Sequence, residues 1–139
     1  MKAIFSAVTT LCIATACTRD APVGDAGAIA NEQIQAHEFL QCMNDDEFFP
    51  RNLVDEGRQI LLRLSARIER EKPADEAALY ALTHASTRQF NDLAEEFSNA
   101  DSEIETDAAE CIASEFEFIA GAYGFENADP EELIATRSW

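Results

Sequence analysis

From Leu53 to Ile68 the apolar residues fall at Leu53, Val54, Ile60, Leu61, Leu64 and Ile68, with Gly57 in the same stripe. That is the three- and four-residue spacing of one face of an α-helix. The spacing recurs downstream. Leu79, Leu82, Ser86, Phe90, Leu93 and Phe97 follow a near-heptad, and Ile104, Ala108, Cys111, Ile112, Ile119 and Tyr123 mark a further stripe. No segment alternates apolar and polar residues for long enough to build a sheet. Helices of this length, joined by short turns, bury their stripes against one another as an antiparallel bundle. The expected fold is all-α, with about four helices plus a short C-terminal helix over residues 31–139.

Punctuation sets the expected boundaries. Ile34, Phe39, Leu40 and Met43 predict a first helix over 31–44, interrupted by Asn44-Asp45-Asp46-Glu47 and the connection Phe48-Phe49-Pro50. The second helix is expected over 51–71, where Gly57 either permits a close helix approach or is simply tolerated at about 1 kcal/mol against alanine. Arg63, Arg67 and Arg70 share its opposite face. Pro73 then sits near the first position of a third helix, expected over 74–98. Ser102-Glu103-Ile104-Glu105 fits a capping box that would open the fourth. Gly124 is placed for a left-handed stop with Phe125 packing back, and Asp129-Pro130-Glu131-Glu132 is a start signal for a short last helix.

The N-terminal segment reads differently. Lys2 precedes an uncharged stretch from Ala3 to Ala14, shorter than the roughly 20 apolar residues that span a bilayer. Ala14-Thr15-Ala16-Cys17 then resembles the lipobox of bacterial lipoproteins. The resemblance implies a signal peptide over 1–16, lipidation of Cys17 and tethering to a membrane. Ala14-x-Ala16 also suits ordinary signal cleavage, which would give a soluble exported product. Thr18 to Ala30 has Pro22, Gly24 and Gly27 and no apolar cluster, so 17–30 reads as a tether with a reach of roughly 20 Å.

Of four cysteines, export would remove Cys12; if Cys17 carries lipid, Cys42 and Cys111 remain as an even pair in an oxidising compartment, whereas a free Cys17 would leave three thiols with one odd. A bridge between them would staple the first long helix to the fourth. Two buried free thiols are the other reading. Neither has the CxxC spacing or the neighbouring histidine of a catalytic thiol.

Without Lys2 the chain has nine basic residues against 27 acidic ones, a formal charge of −18. Phosphate binding needs a basic footprint, so nucleic acid is an improbable ligand, and a cationic protein is the electrostatic match. The charge is segregated. Six basic residues lie within 51–72, whereas Gln89 to Thr136 holds fourteen acids and no lysine or arginine. That stretch is either a solvated face partly paired to the arginine stripe or an acidic docking surface. Phe48 and Phe49 beside Asp45, Asp46 and Glu47 are the candidate partner-binding residues, because aromatic anchors dominate interface energies. The competing reading makes both phenylalanines core residues at the bundle end.

Catalytic patterns are weak. Ile34 and Ala81 stand where Glu-x-x-His di-metal motifs would put glutamate ahead of His37 and His84. Ile104 occupies the glycine position of a calcium loop. Both histidines read as helix-flank side chains, and no metal, cofactor or small-molecule substrate is expected.

From Asp45 onward the body resembles a family of small acidic bacterial proteins known only as a domain of unknown function. The likeness rests on Glu47-Phe48-Phe49-Pro50, Glu71-Lys72-Pro73-Ala74-Asp75, Phe90-Asn91-Asp92-Leu93 and Ala122-Tyr123-Gly124-Phe125, among other segments. It implies the fold and no activity. The expectation is a non-enzymatic, membrane-tethered extracytoplasmic lipoprotein whose acidic helical domain binds another protein. An immunity-type inhibitor of a cationic toxin is the most concrete form. A structural or accessory envelope lipoprotein and a helical-bundle enzyme are the alternatives.

Overall fold

The computed structural model describes residues 29–139, and all described secondary structure is helical. The signal segment, Cys17 and most of the expected tether lie outside the described residues. Two long helices, α3 (Arg51–Glu71) and α4 (Glu76–Asn99), form a hairpin across a four-residue connection. A third, α5 (Thr106–Ala122), follows after a six-residue turn and joins the same core, its Phe116 meeting Phe90 of α4 edge-on with centroids 5.9 Å apart. Three short helices complete the body: α1 (Glu32–Ala36), α2 (Gln41–Asn44) and α6 (Pro130–Leu133). The fold class is as the periodicity predicts. The apolar stripes of the three long helices meet in one core with Phe90, Phe97 and Phe116 fully buried in it.

Helix α3 spans the residues expected of it, and its glycine is a packing requirement. A Cβ on Gly57 would stand 2.8 Å from Leu40 Cδ1 and 3.2 Å from Phe90 Cε1. The close-approach reading of Gly57 therefore holds.

The first expected helix is not continuous. His37 adopts extended backbone (ψ 130°), and Leu40 takes a left-handed conformation (φ 57°) before α2 begins. A left-handed non-glycine residue costs roughly 1–2 kcal/mol. The break is held from α5. The Glu115 carboxylate accepts the Leu40 N–H at 2.7 Å and pairs with His37 Nε2 at 2.6 Å, while the Leu40 side chain is buried.

The helix ends differ in how well local signals served. At Gly124 (φ 87°) the Phe125 N–H bonds Ala120 O at 2.9 Å and the Gly124 N–H bonds Gly121 O at 3.0 Å, the expected glycine stop. Asp129 caps α6 through the Glu131 N–H at 2.9 Å. The capping box at Ser102 does not form, and α5 begins four residues later with no side-chain cap. Ser102 instead closes α4: its N–H bonds Phe97 O at 3.0 Å and the Asp101 N–H bonds Ser98 O at 3.2 Å, with Asp101 left-handed (φ 59°). Likewise Asp75, not Pro73, opens α4 by accepting the Ala78 N–H at 2.8 Å.

The folded body also starts earlier than expected. Ile29 is buried, and the N–H groups of Ala30 and Asn31 donate to Glu69 at 2.8 and 2.9 Å. Residues 29–44 thus form a strap clasped to the ends of α3 and α5.

Candidate functional site

Three carboxylate arrangements stand out, and they differ in chemistry. In the first, Glu69 near the end of α3 accepts the two strap N–H groups and the Tyr123 hydroxyl, the last at 2.8 Å. Burial works to raise its pKa, but the Ala30 and Asn31 N–H donors and the Tyr123 hydroxyl outweigh it and hold Glu69 below the usual carboxylate value. Burial, then the Glu69 hydrogen bond and charge, push the Tyr123 phenol well above its ordinary range. Asn31 Nδ2 completes the clasp by donating to Ala122 O at 2.8 Å.

In the second, Glu115 lies only 6% exposed on the apolar face of α5 and holds the strap break from within. His37, paired to it, stacks on Phe118 with ring centroids 3.9 Å apart and meets Phe39 edge-on at 4.6 Å. The histidine is sandwiched, and its partner carboxylate also carries a backbone N–H. His37 therefore fixes the strap rather than flanking a helix freely. Sequence reasoning missed Glu115. The signal was an acid at the helical register of Cys111, Ile112 and Ile119, where an apolar residue belongs.

His84 is also committed to structure. Its Nε2 lies 2.6 Å from Glu132 O, and its own carbonyl accepts the Thr136 hydroxyl at 3.2 Å. Asn91 holds the same segment through Thr136 O at 2.9 Å and the Ser138 N–H at 2.9 Å. Among the described residues, no three His, Cys, Asp or Glu side chains converge in a way that could hold a metal ion.

The third arrangement is a groove of about 1080 Å³ at the end of the bundle where α3 and α5 begin and α4 ends. One wall is the loop between α2 and α3. Another is the start of α5, and the segment after α6 closes the site with Trp139. Phe48, Ile104, Ala113 and Trp139 give it apolar surface. Asp46, Glu105, Asp107, Glu110 and Glu131 stand around it, all exposed. Arg137 is the one cation among the lining residues and pairs with Glu131 at 3.3 Å. The structure thus places Asp46, Phe48 and Phe49 in one groove, while Asp45 and Glu47 line a smaller depression of about 450 Å³ on the other side of the loop.

The two phenylalanines divide the readings between them. Phe49 is half-buried and packs edge-on against Phe97 with centroids 6.0 Å apart, so it caps the core. Phe48 is 48% exposed, the one large apolar side chain in that state among the described residues. The arginine stripe does not neutralise the acidic stretch. Arg63 pairs with Glu56 at 3.7 Å, and Arg67 and Arg70 both pair with Glu71, at 2.7 and 3.8 Å, all within their own helix.

Cys42 and Cys111 are joined in a disulfide, with Cα atoms 6.6 Å apart across 69 residues of sequence. It ties α2, immediately before the loop wall, to α5, the facing wall. The match to known proteins begins just before this region. No curated protein and no solved structure matches the chain. Residues 33–139, from the strap to Trp139, match one family, and the lipobox-like segment lies outside that match. The chain belongs to the family of unknown function DUF5713.

Proposed function

We propose that this chain is a protein-binding module that captures a basic segment of a partner in the groove beside Phe48. One observation carries the reading: an exposed phenylalanine and Trp139 share a groove whose rim holds five acids against one already paired arginine. Like charges gathered on a low-dielectric wall repel one another, and a cationic partner relieves that repulsion while speeding encounter. Phe48 and Trp139 supply the apolar contact that an electrostatic encounter needs to persist. The partner class is therefore a protein with a lysine- or arginine-rich surface and an apolar side chain projecting from it. An immunity-type inhibitor of a cationic toxin would use the groove in this way.

Together with the Ala14-Thr15-Ala16-Cys17 signal, the proposal places the module in the cell envelope, lipid-anchored through Cys17. The clasp where the strap enters and the groove lie at opposite ends of α3, which is about 31 Å long for 21 residues. An anchor that precedes the strap thus joins the folded body at the end remote from the groove. The test is affinity capture from envelope extract on the full chain, at low and high salt. A basic protein retained at low salt and released at high salt is the expected result. Retention unaffected by salt would remove the acidic rim from the mechanism. Mass spectrometry of the membrane-extracted chain checks the anchor: a lipid adduct on Cys17 is expected, and Cys17→Ser releases the chain from membranes without unfolding it.

A further inference from the structure

We infer that closing the Cys42–Cys111 disulfide completes the groove, so that the chain gains its docking surface by oxidation; this rests on the docking reading above. The wall that carries Phe48 is tied to the rest of the molecule in few ways. Its described hydrogen bonds are internal: the Asp45 N–H to Gln41 O at 3.0 Å, the Asp46 N–H to Met43 O at 3.3 Å, the Phe48 N–H to Asp46 Oδ1 at 2.9 Å and the Phe49 N–H to Asp46 O at 3.2 Å. None of them reaches α5, the opposite wall. What sets the wall's distance from α5 is the Leu40 N–H bond to Glu115 at the start of α2, the burial of Met43, the packing of Phe49 on Phe97, and the disulfide. Of these only the disulfide joins the two walls covalently. Cys42 lies six residues before Phe48, and Cys111 sits between Glu110 and Ala113 of the groove.

The two sulfurs are not equivalent. Cys42 belongs to an exposed residue and Cys111 to a buried one. Oxidation therefore starts at Cys42. Its thiolate attacks a disulfide-bearing oxidant and displaces one thiol of it. The Cys111 thiolate then attacks Cys42 Sγ, and the oxidant leaves as its dithiol, having taken two electrons and two protons. Before this step α2 is held to α5 by the Leu40 N–H bond to Glu115 and by side-chain packing, while the Phe48 loop beyond it makes no described hydrogen bond to α5. A compartment that keeps thiols reduced thus holds the chain in a form that does not dock, and an oxidising compartment arms it.

Trp139 is the one tryptophan of the chain and lines the groove, so its fluorescence reports on the site. The full chain is titrated with an amphipathic lysine–leucine peptide, oxidised and after reduction with a phosphine, with far-UV circular dichroism recorded in parallel. Reduction is expected to shift Trp139 emission and to weaken the peptide by about tenfold, or about 1.4 kcal/mol, with helix content retained. The Cys42→Ser/Cys111→Ser chain should behave as the reduced protein without reductant. Equal emission and equal affinity in both redox states would overturn the inference. So would loss of helix throughout, which would make the disulfide a staple of the whole fold rather than of the groove. If the oxidised chain ignores the peptide while Trp139 still responds to reduction, the docking reading fails and disulfide control of the groove stands.

Discussion

The carboxylates of the strap and those of the groove belong to the same acid-rich chain yet meet opposite fates. Glu69 and Glu115 are met by backbone donors: Ala30 and Asn31 N–H on one, Leu40 N–H on the other, with Tyr123 and His37 completing each set. Asp46 binds only the Phe48 N–H of its own loop, and Glu105, Asp107 and Glu110 have no described side-chain partner. What separates the two sets is supply. The strap has extended and left-handed residues whose N–H groups need acceptors, whereas α5 satisfies its own backbone beyond the first turn. Net charge alone cannot tell structural acids from acids left over for a partner. The number of orphan backbone donors within reach can.

Replacing a strap carboxylate should give the largest loss of stability. Glu115→Ala strips the acceptor from a buried N–H and from His37 and leaves space in the core. A loss of about 2–4 kcal/mol is expected, read from urea unfolding followed by circular dichroism. A loss below 0.5 kcal/mol, the order expected of a surface change, would erase the distinction between the two sets. Gly57→Ala tests the strap from the side of α3. Alanine gains about 1 kcal/mol of helix propensity, but its Cβ meets Leu40 Cδ1 at 2.8 Å in a packed core. Overpacking outweighs propensity there, and a net loss of about 1–2 kcal/mol is the expected result of the same measurement.

These positions also mark where the sequence could and could not be read. The extent of α3 was legible because its stripe is unbroken and its ends are bounded by Pro50 and Pro73. The break in the first helix was not. Ile34, Phe39, Leu40 and Met43 satisfy helical spacing within its tolerance, and what overrides them is Glu115, 75 residues further on from Leu40. A tertiary acceptor of that kind leaves no local trace near the break; its only trace is an acid on the apolar register of α5. The capping box failed for the reverse reason. Its residues were correct locally, but the α4 stop had already used the Ser102 N–H. Of the candidate docking residues, adjacency in sequence placed Phe48 and Phe49 together, yet only the fold packs Phe49 onto the core and leaves Phe48 exposed in the groove.

The Glu69 clasp offers a smaller and pH-dependent difference. Because the folded state holds Glu69 below its ordinary pKa, its contribution is full above the unfolded carboxylate value and fades as pH falls through the folded one. Tyr123 is raised, so its contribution is full below the ordinary phenol value near 10 and declines as pH climbs past it. Glu69→Gln should therefore flatten the acid side of the stability profile, and Tyr123→Phe the alkaline side, each by less than about 1 kcal/mol because the clasp is partly solvated. Urea midpoints collected from acid to alkaline pH check both. An unchanged acid limb in Glu69→Gln would mean that another carboxylate governs it.

The smallest stability effect should come with the largest loss of binding, at Phe48. The side chain is half in water and its removal opens no cavity, so Phe48→Ala should shift unfolding by no more than about 0.5 kcal/mol. Phe49→Ala, which removes a ring packed on Phe97, should cost several times more. For the lysine–leucine peptide the order reverses. An exposed aromatic beside a charged rim is held there against its own hydration, and Phe48→Ala should weaken the peptide by about tenfold, or about 1.4 kcal/mol. Changing Glu105, Asp107 and Glu110 together to their amides should instead slow association and reduce its dependence on salt, with the unfolding midpoint unchanged or slightly raised as repulsion falls. If Phe48→Ala unfolds as readily as Phe49→Ala, the loop is core from end to end and the groove loses its anchor. If it leaves both stability and peptide binding untouched, the acids around it are a solvated face, and the contrast between the two sets of carboxylates reduces to that between buried and exposed.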